Sequence, residues 1–412
     1  MRAGTCYKLF TRNAEAKMLE RPEPEIRRVP LEQLCVSVKA MGVNDVPGFL
    51  AGTLTPPDTR AVKGAIELLH RMGVLDDEEL TALGRHVSMI PADLRCGKLL
   101  VYGAIFGCLE ACLTIAAILT VRSPFVSPQT KREESKASRS SFGLGHGDLI
   151  SDLRAYEQFS ALRSKTMSYR DLRFWCEQNY LSQNTMNDIT SNRSQYLSSL
   201  KEIGFLPLTY SNNPSHSGGD HLNANNANSA LLRALIAGSF NPQITRIEFP
   251  DKKFAATSTG AMELDPEART IKYFSQSTSA DSLENWRNER VFMHPSSTLF
   301  DAQNFPSRSN FCAYFEKVAT SKVFIRNVTP FNAYSMLLFG GPIELDTLGR
   351  GLLVDGWVRL RGWARIGVLV SRLRGMLDEV LKRMVDEPSL GGSGDEVVQI
   401  VRKLVELDGL DR

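Results

Sequence analysis

The sequence predicts a multi-domain α+β protein, in which a winged-helix unit and a helical bundle precede a small β-barrel with C-terminal helices. Three observations carry this. Up to about residue 205, apolar residues recur at three- and four-residue steps, the period of amphipathic helices. Between 208 and 228 stands the tract LTYSNNPSHSGGDHLNANNAN, whose Asn, Ser and Gly content offers nothing for a core. Beyond it come short runs rich in Val, Ile, Phe and Tyr, the residues that favour strands. A length of 412 residues suits two to four domains.

Residues 29–94 divide into short helices and a turn. Pro30 suits a first helical position, and Leu31, Leu34, Val38 and Met41 follow on one stripe. Pro56 and Pro57 break the chain. Asp58 then caps a helix with Val62, Ala65, Ile66, Leu69 and Met72 on its apolar side, closed by Gly73. VLDDEELTALGRHVSMIPAD adds a turn and a further helix, giving a helix–helix–helix–wing unit of the kind that binds nucleic acid or docks proteins.

Residues 95–207 read as helical. The apolar run 99–121 is nearly long enough for a membrane, but Glu110 at its centre argues for two buried helices broken near Gly107. The polar segment 127–148 reads as a surface loop. From 180 to 205 one long helix carries Leu181, Met186, Ile189, Tyr196, Leu197 and Leu200 toward the core and ends at Gly204. Residues 208–229 form the linker. Over 230–345 the runs ITRIEF, KFAAT, TIKYF, VFMHP, FCAYFEKV and KVFIRNV suit an OB-type barrel. Residues 346–412 turn from strand to helices, with Ile366, Leu369, Val370, Leu373, Leu377, Val380 and Met384 along one face.

A net charge of +3 and a hydrophobic share of 42% neither demand nor exclude nucleic acid. Seven irregularly spaced cysteines fit reduced thiols in a cytoplasmic or nuclear setting. Cys108 and Cys112 lack further ligands at zinc spacing and read as core thiols; His216 and His221 lack Cys or carboxylate support. The first twenty residues carry charges and no apolar stretch, so neither a signal peptide nor a membrane partner is expected. CGKLL at 96–100 has a Gly-Lys but not the Ser or Thr of a phosphate loop, no Asp-Glu-Ala-His follows a strand, and the DDEE at 76–79 reads as a solvated turn. No catalytic residue, metal or cofactor is expected in this chain, nor ATP hydrolysis by it alone.

Several segments together resemble one family. They are RAGTCYKLFTR at the start, EIRRVPLEQLCVSVKAMG and TPPDTRAVKGAIELLHRMGVLD in the winged unit, and LTALGRHVSMIPADLRCGKLLVYGAIFGCLEACLTIAAILTVRSPF entering the bundle. RVFMHPSSTLF, YFEKVATSKVFIRNVT and AYSMLLFGG follow in the barrel. In this order they resemble the C-terminal half of DEAH-box RNA helicases of the RNA-helicase-A-like group. The resemblance implies that residues 1–28 are the tail of a second RecA-like domain, entered just after an arginine-rich motif, and that 95–207 is a ratchet domain. It places ATP and magnesium in the full-length family, outside this chain. It implies as partners single-stranded or structured RNA, the upstream RecA-like domains, and an activator protein on the barrel.

Accessory domains of that family hold mainly the sugar–phosphate backbone, which calls for cations, hydroxyls and N–H groups. The expected contacts in the barrel are His294, Ser296 and Ser297 at a strand end, with Tyr314, Lys317, Thr320, Lys322 and Arg326 on two neighbouring strands. In the bundle they are Asn179, Ser182, Thr185, Arg193 and Gln195, with His146 and Asp148 in a segment that departs from the family pattern. Each set also reads as ordinary solvated turn, strand or helix. Phe315 and Phe324 read as core, and Arg85 and His86 as structural. The alternative function is a stand-alone winged-helix/OB scaffold for DNA or a protein, against which stands the meagre polar face of 58–72, with only Arg60, Lys63, His70 and Arg71. A hydrolase reading finds no G-x-S-x-G or comparable set.

Overall fold

A short helix α1 (Arg12–Ala16) leads into the winged unit, where the spacing of apolar residues sets each helix. The computed structural model describes residues 4–165, 168–208, 210, 221–251, 253–257, 260–279, 282–346, 351–387 and 395–407, so the His216 of the paired histidines lies outside the described residues. Helices α2 (Glu32–Ala40), α3 (Val46–Ala51) and α4 (Thr59–Arg71) pack with α5 (Ala82–Met89), and β1 (Leu75–Asp76) pairs with β2 (Glu79–Leu80) as a minimal wing. Asp58 accepts the amide of Arg60 at 2.9 Å, and Gly73 adopts φ +73° just past the helix, as its position implied. Cys35, Val38, Leu50, Leu69, Val74 and Val87 are buried together.

The bundle comprises α6 (Leu94–Ile105), α7 (Leu109–Thr120), α8 (Arg132–Gly143), α9 (Asp148–Ser164), α10 (Tyr169–Gln178) and α11 (Gln183–Glu202). Helices α6 and α7 are buried almost throughout and separated at Gly107 (φ +70°). Cys108 and Cys112 are fully buried thiols.

Two segments differ from expectation. The polar stretch 127–148 contains helix α8 instead of a loop. Its inward side carries Arg139 in place of an apolar stripe, bound to both carboxylate oxygens of Asp152 on α9 at 2.7 and 2.8 Å. A buried ion pair replaces a hydrophobic contact there, so periodicity hid the helix. The end of the Asn-rich tract is likewise built into the structure. The side chains of Asn223 and Asn226 accept the amides of Glu110 and Ala111 at 3.0 and 3.2 Å, capping α7, and Asn225 donates to the carbonyl of Phe106 at 2.8 Å. These amides satisfy backbone groups at the α6–α7 break.

Helix α12 (Ser229–Phe240), buried from Leu231 to Phe240, joins the bundle to a closed five-stranded barrel. In spatial order the barrel strands are β3 (Ile244–Glu248), β6 (Lys272–Ser279), β7 (Ser282–Met293), β9 (Val323–Phe331) and β8 (Phe311–Ala319); β4 (Lys253–Thr257) and β5 (Gly260–Leu264) form a separate hairpin. Ile247, Tyr273, Val291, Met293, Cys312, Tyr314, Ile325 and Val328 fill the barrel. Helix α13 (Ala333–Phe339), the meander β10 (Ile343–Asp346), β11 (Gly351–Val354) and β12 (Val358–Arg361), and helices α14 (Ala364–Asp386) and α15 (Glu396–Leu407) complete the chain. Only the C-terminal half of the expected α14 stripe is buried, at Leu377, Val380 and Met384; Ile366 and Leu369 are exposed. Among the described residues no helix is long and apolar enough to cross a membrane, and no group of three His, Cys, Asp or Glu side chains is placed to hold a metal.

Candidate nucleic-acid interface

Strands β7 and β9 run side by side in parallel, Phe292 opposite Phe324 and Met293 opposite Ile325. Met293 and Ile325 point into the barrel, so the pleat turns their neighbours outward. The outer face therefore presents Arg290, Phe292 and His294 from β7 and its end, and Lys322, Phe324 and Arg326 from β9 and the residue before it. All six are at least partly exposed.

These side chains alternate charge with ring. The Arg290 guanidinium lies 5.0 Å from the Phe292 ring centre and the Lys322 ammonium 4.6 Å from the same ring. Phe292 and Phe324 are 6.2 Å apart, and His294 meets Phe324 edge-on at 5.8 Å. Arg326 donates to Nε2 of His294 at 2.7 Å. The stripe continues across the barrel wall, with Phe274 of β6 opposite Arg290 and Arg246 of β3 opposite Phe274, its guanidinium 5.8 Å from that ring. Cations over ring faces at these separations attract the ring quadrupole, while the rings remain platforms for flat ligands.

An irregularity in β9 decides which residues join the stripe. Ile325 and Val328 both face inward although three residues apart, and Asn327 between them adopts φ +52°, a left-handed conformation that Asn tolerates. Without that break, Val328 and Ile325 could not share one side.

Both ring nitrogens of His294 are engaged: Arg326 donates to Nε2 at 2.7 Å, while Nδ1 accepts the amide of Ser296 at 3.1 Å and lies 2.7 Å from its Oγ. Burial, and then the Arg326 charge, hold the imidazole pKa below its ordinary value, so the ring is neutral at neutral pH.

The structure separates the expected contacts into three groups. His294, Ser296, Lys322 and Arg326 come together on the outer face. Ser297 and Tyr314 do not: both are buried, at 1% and 5% exposure, Ser297 donating to Asp148 at 2.9 and 3.1 Å and Tyr314 filling the barrel. The β8 alternation that puts Cys312 inside puts Tyr314 there too. Lys317 sits opposite Ile325, on the inward face of the pleat, and binds Glu289 at 2.5 Å. Thr320 turns its hydroxyl to the carbonyl of Lys322 at 3.3 Å within the β8–β9 turn.

In the bundle, structural roles account for most of the expected contacts. Asn179 and Ser182 lie at the end of α10 and the start of α11, where Ser182 caps the helix and also accepts the Thr185 hydroxyl at 2.9 Å. Arg193 forms an ion pair with Glu110 and lies over the ring of Tyr156 at 5.3 Å, its side chain 11% exposed. Gln195 is exposed on α11. Asp148 is buried at the junction of bundle and barrel, and His146 beside it is partly buried. Arg85 pairs with Asp386 at 3.2 Å, and His86 packs edge-on against Phe205.

Arg246, Phe274, Arg290, Phe292 and Phe324 escaped the sequence reading. The signal was the period of two in 290/292/294 and 322/324/326, cation and ring alternating along each strand. Phe324 was assigned to the core because it is apolar; its outward direction depends on the register with β7.

Comparison with known proteins adds the family. Residues 65–92 match a helicase-associated winged-helix model, 93–170 a ratchet-like helicase-associated domain, 232–343 an oligonucleotide/oligosaccharide-binding fold, and 350–407 the C-terminal domain in RNA helicases. A protein named as a DEAH-box ATP-dependent helicase in Mycosarcoma maydis is 36% identical over 439 aligned residues, which take in 100% of this chain and 27% of the relative. The chain belongs to the DEAH-box RNA helicase family. Within that family it matches the C-terminal part of its relatives. A protein of Saccharomyces cerevisiae named as an ATP-dependent RNA helicase is 35% identical, over 98% of the chain and 32% of the relative. The ATP-dependent RNA helicase dhx29 of Xenopus laevis is 29% identical, over 99% and 28%. The chain thus spans about a third or less of the length of these helicases.

Proposed function

We propose that this DEAH-box C-terminal region grips single-stranded RNA on the outer face of its barrel, without hydrolysing nucleotide itself. The observation that carries the reading is the alternation of Arg246, Phe274, Arg290, Phe292, Lys322, Phe324 and Arg326 across four adjacent strands. Cations at this spacing suit phosphates and the rings suit base faces, a combination that favours unpaired strands over a base-paired duplex. ATP and magnesium belong, on this reading, to upstream RecA-like domains. Tyr7 and Leu9, 85% and 98% exposed on a segment without regular secondary structure, support a contact of the N-terminal residues with such a domain. On this reading an activator protein on the barrel is a further partner.

The test is titration of the purified chain with a fluorescent oligo-uridylate and with the same strand in a duplex, across a salt series. Preferential binding of the single strand, weakening linearly as log salt rises, is the expected result. Equal or tighter binding of duplex, or no salt dependence, overturns the reading. ATP turnover stimulated by RNA overturns the non-hydrolysing part alone.

A further inference from the structure

The pair His294–Arg326 at one end of the stripe is held from outside the barrel. Asp148, the first residue of α9 in the bundle, is 1% exposed and accepts hydrogen bonds from four donors of the barrel. They are Oγ of Ser297 at 2.9 Å, the amide and hydroxyl of Thr298 at 2.7 and 3.0 Å, and the amide of Val328 at 2.9 Å. The first three donors lie three and four residues after His294. The fourth lies two residues after Arg326. One carboxylate thus ties together the two strand segments that carry the pair.

Two neighbours reinforce this. Gly147 precedes Asp148 at φ +102°, and a Cβ there would stand 2.5 Å from the carbonyl oxygen of Val328, so only glycine lets α9 approach β9 this closely. Arg139 donates to the carbonyl of Ser296 at 3.1 Å while bound to Asp152 and lying 4.0 Å from Asp148. A buried carboxylate whose oxygens are saturated by backbone and hydroxyl donors defines geometry more than it adds net stability.

We propose that Asp148 is a positioning residue for the RNA-gripping face: through the loop after His294 and the backbone after Arg326, it keeps the imidazole and the guanidinium side by side at the barrel surface. The inference rests on the proposed RNA reading. It makes the bundle and the grip mechanically one unit, so that a displacement of α9 is felt at Arg326.

The experiment is a double-mutant cycle on the full chain, with Asp148→Asn, Arg326→Ala and the double variant binding the single-stranded oligo-uridylate. Asp148→Asn is expected to weaken binding about tenfold, the order of one lost charge-assisted contact, and to lower the salt slope by about one. On the Arg326→Ala background it should add little, because the group it positions is gone. An equal loss on both backgrounds overturns the proposal. An NMR titration of the His294 ring keeps the test independent of RNA. Burial and Arg326 hold its pKa down, whereas Asp148 and Glu316 pull it up. Loss of positioning therefore raises the His294 pKa toward the ordinary value as Arg326 drifts away. A fall, the result of removing only the carboxylate's charge from an intact loop, overturns the proposal. Failure of the wild-type chain to bind the oligonucleotide would sink the RNA reading and leave this titration to decide the positioning role.

Discussion

Lys317 and Arg326 lie on opposite sides of one barrel wall. Lys317 is paired in register with inward-facing Ile325, and Arg326 is the next residue along the same strand. Two cations that look equivalent in sequence therefore face different surroundings, Glu289 for one and the outer stripe for the other. Replacing Lys322 and Arg326 together by Ala is expected to flatten the salt slope of single-strand binding by about two, whereas Lys317→Ala leaves it unchanged. A slope that falls with Lys317→Ala would place the RNA elsewhere.

Phe292 and Phe324 give a separate readout. If bases stack on them, Phe292→Ala or Phe324→Ala costs about 1–3 kcal/mol in binding and leaves the salt slope alone, since no phosphate contact is lost. Binding isotherms of the two variants at several salt concentrations check this. An unaltered affinity would restrict the stripe to backbone contacts.

His294 and His146 both have pKa values held below 6.5, by burial first, and then by Arg326 for one and by Arg233 and Arg154 for the other. The folded chain then binds fewer protons than the unfolded chain near and below that pH, so stability falls as pH drops through 6.5 and is regained above it. Thermal melts over that range should show the fall, and His294→Gln with His146→Gln should shrink it. Melts that do not change with pH would contradict both assignments.

Lys98 is buried between the winged unit and the bundle, donating to the carbonyl of Met72 at 2.8 Å, and burial lowers its pKa to about 8. An unfolded lysine keeps its proton to about 10.4, so the unfolded state binds more protons between these values and stability gains as pH rises through that window. Relative to Lys98→Met, the wild-type chain is expected to become steadily more stable from pH 8 upward. A constant difference between the two would show that Lys98 titrates normally.

Arg193 was expected at an RNA channel and instead neutralises Glu110 inside the bundle. Arg193→Ala removes the charge that balances this carboxylate and should cost about 3 kcal/mol in urea denaturation, with the salt slope of RNA binding unchanged. A lost slope with unchanged stability would restore Arg193 to the interface.

Much of this was legible in the chain itself. Helical periodicity located α4, α6, α7 and α11, with the cap at Asp58 and the closing glycines at 73 and 204, because local backbone rules act over a few residues; the cap of α11 at Ser182 emerged only in the structure. Strand composition located the barrel runs for the same reason. Helix α8 was hidden because Arg139 and Asp152 replace an apolar stripe, a substitution visible only when both helices are in place. The Asn-rich tract looked unstructured because the backbone groups its amides satisfy lie more than a hundred residues earlier in the chain.

Domain order, the buried helices and the family all follow from the residues alone, since these depend on period, composition and motif. Which polar residues face outward depends instead on packing between distant strands. The parallel register of β7 with β9 and the left-handed turn at Asn327 set Arg290, Phe292, His294, Lys322, Phe324 and Arg326 on one surface, while Asp148 reaches across to fix two of them. A strand's side chains alternate with a fixed period of two, but which side is inside is chosen by the neighbour it pairs with, and that neighbour is distant in the chain.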